Sequence, residues 1–223
     1  MALAKSAKSE YGTVDIKAHG IPALVEYSYT LLDESVRDTF VAYQKQSVKL
    51  KIDTAKKISI GYAGAVAAAA FQPFPIADAP IMVAIQVVMM AHITACFGFD
   101  PSLLKFKSIL TGLGGPFAAA LVGRTLVSLL KFIPGLGTAA GGAINAAVGG
   151  GITIALANVY IAVLSSITER NGEFDEQTII DELNKAMNNV DMDAAKKEWE
   201  ESKGKYSEAE ADDILKKAKD SLG

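Results

Sequence analysis

Cysteine, histidine and tryptophan are scarce in this chain: one, two and one among 223 residues. The single Cys96 excludes an intrachain disulfide, and its apolar surroundings suit a cytosolic or membrane-embedded thiol. With His19 and His92 as the only imidazoles, a transition-metal cluster has no ligand set. No Gly-x4-Gly-Lys-Ser/Thr string occurs, which excludes a nucleotide-hydrolysing P-loop of that class. The start, Met1 to Gly20, lacks the apolar core of a cleavable signal peptide, so internal segments would have to carry the chain to any membrane. No block has a basic excess, which argues against nucleic acid as a partner.

Charge is missing from the middle of the chain. Residues 1–57 hold nine bases and seven acids, whereas residues 58–168 hold four bases (Lys105, Lys107, Arg124, Lys131) and two acids (Asp78, Asp100). Residues 169–223 hold nine bases and sixteen acids, a net of −7. Half of all residues are apolar and the mean hydropathy is +0.25, high for a soluble protein. Three regions follow: an N-terminal arm over 1–33, an apolar helical region over 34–168 and an acidic helical tail over 169–223. The fold class is all-α.

Residues 1–20 read as a loose polar arm. A long helix starts after Asp33, whose carboxylate can cap it. Val36, Phe40, Tyr43, Ser47 and Leu50 fall on one face, and the spacing predicts continuation through Lys56-Lys57 into Ile58–Phe71. There the pattern becomes apolar all round, so the segment must be buried in protein or lipid. Pro73 and Pro75 end it, and Asp78 with Pro80 reads as the cap and opening turn of a helix over about 79–98. Phe99 to Ser102 turns the chain. Pro134-Gly135-Leu136-Gly137 is a further break, and Phe132–Thr168 is an uncharged run of 37 residues. Asn171-Gly172 makes a turn, Asp175 caps a helix over about 176–190, and Ser207 with Glu210 has the pattern of a capping box. These tail helices carry thin apolar stripes and should dock on something.

A membrane-crossing helix needs about 20 mostly apolar residues. Residues 58–77, 79–99 and 132–168 reach that length. Small residues recur at four-residue spacing (Gly61/Ala65, Gly64/Ala68, Gly137/Gly141, Ala146/Gly150), which lets helix backbones approach in membranes and in dense soluble bundles alike. Gly/Ala-rich hairpins hinged at Pro73–Pro80 and Pro134–Gly137 fit better than clean spans. Lys56-Lys57 and Lys105/Lys107 flank the apolar runs, which would place the charged ends in the cytoplasm. No polar stripe is available to line a pore.

Asp78 is an acid in a long apolar region, with helix capping as its plainest role. Gln86 and His92 suit interhelical hydrogen bonds, and Met82, Met89 and Met90 suit core packing. Asn189 to Glu200 has the acid spacing of a calcium loop, but Ala194 replaces the turn glycine and Lys197 a ligand, so capping is favoured. No catalytic constellation is present, and no cofactor is implied.

The strings Gln44-Lys45 and Lys51-Ile52-Asp53-Thr54-Ala55-Lys56-Lys57-Ile58, then Gly61-Tyr62-Ala63, precede Pro73-Phe74-Pro75-Ile76-Ala77-Asp78-Ala79-Pro80 and Gln86-Val87-Val88-Met89. With Lys131 to Gly137 and Asn145, they resemble a bacterial domain family of unknown function. That family stands at the C-terminal side of Era-like small GTPases and in inner-membrane proteins. The resemblance covers about 34–168, and no GTPase domain accompanies it here. It implies a membrane-associated helical module that a small GTPase controls, with no catalytic residues to transfer.

The expectation is a non-enzymatic membrane-associated helical protein of the bacterial inner membrane, acting in anchoring, remodelling or scaffolding. Its expected partners are lipid, a small GTPase and further copies of itself. Its interaction residues would be Pro73, Pro75, Asp78, Pro80, Gln86, Met89, Pro134, Gly135, Gly137 and Asn145. The alternative is a soluble helical bundle that buries the same helices in an oligomer or against a partner.

Overall fold

The computed structural model describes residues 5–9, 12–16, 20–45, 47–70, 78–112, 138–187, 189–202 and 204–220. These form an α-helical bundle preceded by one β-hairpin. Strands β1 (Lys5–Ser9) and β2 (Gly12–Ile16) pair antiparallel, with Lys5 opposite Ile16 and Ser9 opposite Gly12. Within the arm read as loose, residues 5–9 and 12–16 thus form a hairpin. Its β-branched Thr13, Val14 and Ile16 favour extended backbone, but two five-residue strands whose only apolar side chains are Ala7, Val14 and Ile16 leave little signal.

Helix α1 (Ile21–Leu31) begins after Gly20, at φ +79°, with Pro22 in its first turn. Helix α2 (Glu34–Tyr43) is capped by Asp33, which accepts from Ser35 N at 3.0 Å. The expected single long helix from Asp33 to Phe71 is interrupted after Tyr43. Gln44 turns extended and its side chain clamps Ser47, donating to Ser47 O at 2.8 Å and accepting from Ser47 N at 2.9 Å. Ser47 Oγ then accepts from Leu50 N at 3.1 Å and caps helix α3 (Val48–Ala70). Two side chains that satisfy backbone groups locally outweigh an unbroken apolar stripe.

Helix α4 (Asp78–Cys96) runs antiparallel to α3, with Lys51 beside Cys96 and Tyr62 beside His92. The 3-10 turn Pro101–Leu103 follows, capped by Asp100, and leads to α5 (Phe106–Gly112). Helix α6 (Thr138–Glu169) is one continuous element through Gly149, Gly150 and Gly151. Asn171, at φ +48°, turns the chain into α7 (Glu176–Met187), α8 (Met192–Ser202) and α9 (Glu208–Asp220).

Helices α3, α4 and α6 form the centre. Helix α6 lies along α3, α8 packs across α6, α9 covers α3 and α4, and α7 closes on α6 and α5. Ile85, Met89, Ile93, Leu156, Tyr160 and Leu164 are fully buried between them. Thr94 Oγ1 donates to Met90 O at 2.8 Å, so the 2.6 Å contact between Thr94 Oγ1 and Tyr160 OH is donated by the phenol.

Lys51 joins three helices. Its ammonium is buried and donates to Val41 O (2.8 Å), Ala42 O (2.9 Å) and Cys96 O (3.2 Å), the last carbonyls of α2 and α4. A cation at two helix C-termini satisfies orphan acceptors and meets the negative ends of both dipoles. Gly98, at φ +83°, presses its Cα on Ala42 O, where a Cβ would collide.

Residues Ala146–Glu169 within α6 are long and apolar enough to cross a membrane, with a mean hydropathy of 1.9 over the apolar window. Two-thirds of that window (67%) is buried inside the protein, so the surface a lipid would meet is largely occupied by other helices.

Candidate functional site

The glycines of α3 and α6 mark where the acidic tail docks. On α8, Ala195, Trp199 and Ser202 are buried, at the i, i+4, i+7 spacing of one helix face. Trp199 lays its indole on the Cα of Gly150, and the α8 backbone at Lys196 passes Gly151 so closely that a Cβ there would stand 3.5 Å from Lys196 Cα. Tyr206, in the turn before α9, stacks on Trp199 with ring centroids 5.8 Å apart and lies against Gly64. Glu210, on α9, rests its carboxylate on Gly61. Gly149 instead receives Val66 of α3. The four-residue small-side-chain spacing on α3 and α6 therefore forms holes for the tail's aromatic and acidic side chains.

Polar contacts edge this interface. Asn158, midway along α6, donates from Nδ2 to Glu198 Oε2 at 2.7 Å, and Lys56 of α3 approaches the other oxygen of Glu198 at 4.0 Å. The buried stripes of the other tail helices are Ile179, Leu183, Met187 on α7 and Ala211, Leu215, Ala218 on α9. Asp175 caps α7 through Thr178 N at 3.0 Å, and Phe174 before it stacks on Phe99 at 4.2 Å. Asp191 accepts from Ala194 N at 2.9 Å and starts α8, so the stretch with calcium-loop spacing is a capped helix.

A groove opens beside the docked tail, between α2, α3 and α4. It has an inner chamber of about 480 Å³ and an outer one of about 600 Å³, which share Asp38, Thr54, Ile58 and His92. The outer chamber is closed by Lys205, Tyr206 and Glu210 of the tail against Arg37 and Lys57. Arg37 is held by Leu32 O at 3.1 Å and sits 5.2 Å over the Tyr29 ring. His92 stands on the rim, its Nδ1 3.3 Å from Tyr62 OH. Among the described residues, no group of three or more His, Cys, Asp or Glu side chains is arranged to hold a metal.

The residues singled out from the sequence do not converge. Pro73, Pro75, Pro134, Gly135 and Gly137 lie outside the described residues, and with them the Pro134–Gly137 hinge and the first part of the Pro73–Pro80 hinge. Asp78 and Pro80 occupy the first turn of α4, which starts one residue earlier than expected, and Asn145 lies within α6; the side chains of all three are outside the description. Gln86 and Met89 are buried three residues apart on α4, Met89 within the core. His92 does make the expected interhelical contact. Sequence reasoning missed Trp199, whose signal was a lone large aromatic in a charged helix of a chain rich in glycine pairs. The chain matches no protein-family model, no curated protein and no solved structure.

Proposed function

We propose that this chain is a non-enzymatic, membrane-associated helical module whose acidic tail covers its own apolar helices in a closed form. One observation carries the reading: a helix long and apolar enough to span a bilayer has its glycine face filled by the tail residues Trp199 and Lys196. Release of α8 and α9 would uncover the glycine faces of α3 and α6, and small-residue faces pack against other helices in lipid. The closed form then keeps the chain dispersed, and the open form anchors or remodels a bacterial inner membrane with its charged ends in the cytoplasm. Further copies of the chain and a small GTPase, the latter implied by the family resemblance, complete the proposed partners.

Membrane fractionation followed by a carbonate wash tests the reading. Retention of a fraction of the protein in the washed membrane is expected. Complete release into the soluble fraction contradicts insertion and favours the second reading, a soluble bundle acting as an interaction protein. That second reading draws support from the 67% burial of the α6 window. Pull-down with GTP-loaded and GDP-loaded small GTPases tests the partner, with nucleotide-dependent capture expected and equal absence in both states contradicting it.

A further inference from the structure

The inner chamber of the groove lies where α2 ends at Tyr43 and α4 ends at Cys96. Its volume, about 480 Å³, falls in the range of small-molecule sites, and its walls are mostly apolar. Ile58 forms one wall. Phe99, fixed by its stack on Phe174, forms an end, and Tyr43 and His92 bring two further rings to the rim.

The charges of this chamber have one sign. Asp38 and Asp100 are its ionisable lining groups besides Tyr43, His92 and Cys96, and no Lys or Arg is among the described lining residues. Asp100 accepts from Ser102 N at 2.9 Å and from the Ser102 side chain, and its carboxylate is exposed at the edge of the chamber. Lys51 gives its three N–H bonds to Val41, Ala42 and Cys96 carbonyls, and Arg37, Lys57 and Lys205 line the adjoining outer chamber. The Lys51 ammonium is matched by the two helix C-termini it caps.

We propose that the inner chamber binds a small organic cation, a primary amine or quaternary ammonium carried on a short apolar body. The apolar part lies on Ile58 and Phe99, the charge faces Asp38 and Asp100, and the rings of Tyr43 and His92 offer their faces to it. An anion would meet two carboxylates, and a neutral ligand would leave them unanswered. The site does not depend on membrane insertion.

Titration of the full chain with choline, followed by backbone amide NMR, tests this. Saturable shifts are expected at residues 38–43 and 92–100. The uncharged isostere 3,3-dimethylbutan-1-ol should bind at least about tenfold more weakly. Asp38→Asn, on the exposed face of α2, should weaken choline about fivefold with an unchanged melting temperature. Equal binding of choline and its isostere, an unaffected Asp38→Asn variant, shifts that map elsewhere, or no saturation by about 10 mM would each overturn the proposal.

Discussion

The indole of Trp199 covers the Cα of Gly150 so closely that no Cβ fits between them. Gly150 lies in the middle of α6, where glycine costs helix stability relative to alanine. The contact with a buried tryptophan accounts for a residue that the helix alone disfavours. Gly150→Ala should therefore destabilise the fold by about 1–3 kcal/mol through overpacking, although alanine is the better helix former. Chemical denaturation followed by Trp199 fluorescence measures it, and a variant more stable than the parent would contradict the packing. Trp199→Ala should cost about 3–5 kcal/mol by leaving a cavity over Gly150. It should also expose α8 to limited proteolysis.

Lys51 gives a pH signature. Burial pulls its ammonium from the ordinary 10.5 down to about 8. Between about 8 and 10.5 the unfolded chain therefore holds a proton that the folded chain has lost, and the contribution of this residue to stability rises with pH across that window. The parent should gain stability from pH 8 to 10 relative to Lys51→Met, measured as the difference between their unfolding free energies at each pH. At pH 7 the same substitution should cost about 2 kcal/mol, because the last carbonyls of α2 and α4 lose their donor. A constant difference between the two proteins from pH 7 to 10 would contradict the assignment.

Tyr160 and Thr94 form a buried hydroxyl pair at 2.6 Å. Tyr160→Phe removes the donor, while Thr94 keeps its bond to Met90 O. A loss of about 1 kcal/mol in unfolding free energy is expected. Thr94→Val leaves the phenol without an acceptor and should cost more. The reverse order would contradict the donor assignment.

Much of the helical architecture was legible in the sequence, because local chemistry marks helix ends. Asp33 and Asp175 cap where their positions indicated, and the chain turns at Phe99–Ser102 and at Asn171-Gly172 as expected. The break at Gln44–Ser47 was hidden, since it rests on reciprocal side-chain bonds inside an otherwise continuous amphipathic pattern. The glycine spacing was legible as close approach, but a stripe of small residues does not specify what approaches it. Lipid, another helix and an indole satisfy the same spacing, and the partner lay about 50 residues downstream at Trp199. The groove was not legible at all. Asp38, Thr54, His92 and Tyr206 come from four separate segments and carry no motif that joins them.

Whether the tail must leave α6 before the chain meets lipid is open to a direct measurement. A Cβ on Gly151 would stand 3.7 Å from Lys196 Cβ, within the span of a disulfide. The Gly151→Cys/Lys196→Cys double variant should therefore close under oxidation, with the buried Cys96 kept apart from the exchange. Flotation with phosphatidylglycerol/phosphatidylethanolamine vesicles then compares oxidised and reduced forms of the same protein. The account predicts vesicle binding by the reduced form, loss of binding on oxidation and recovery with reductant. Equal binding by both forms, or by neither, would contradict it.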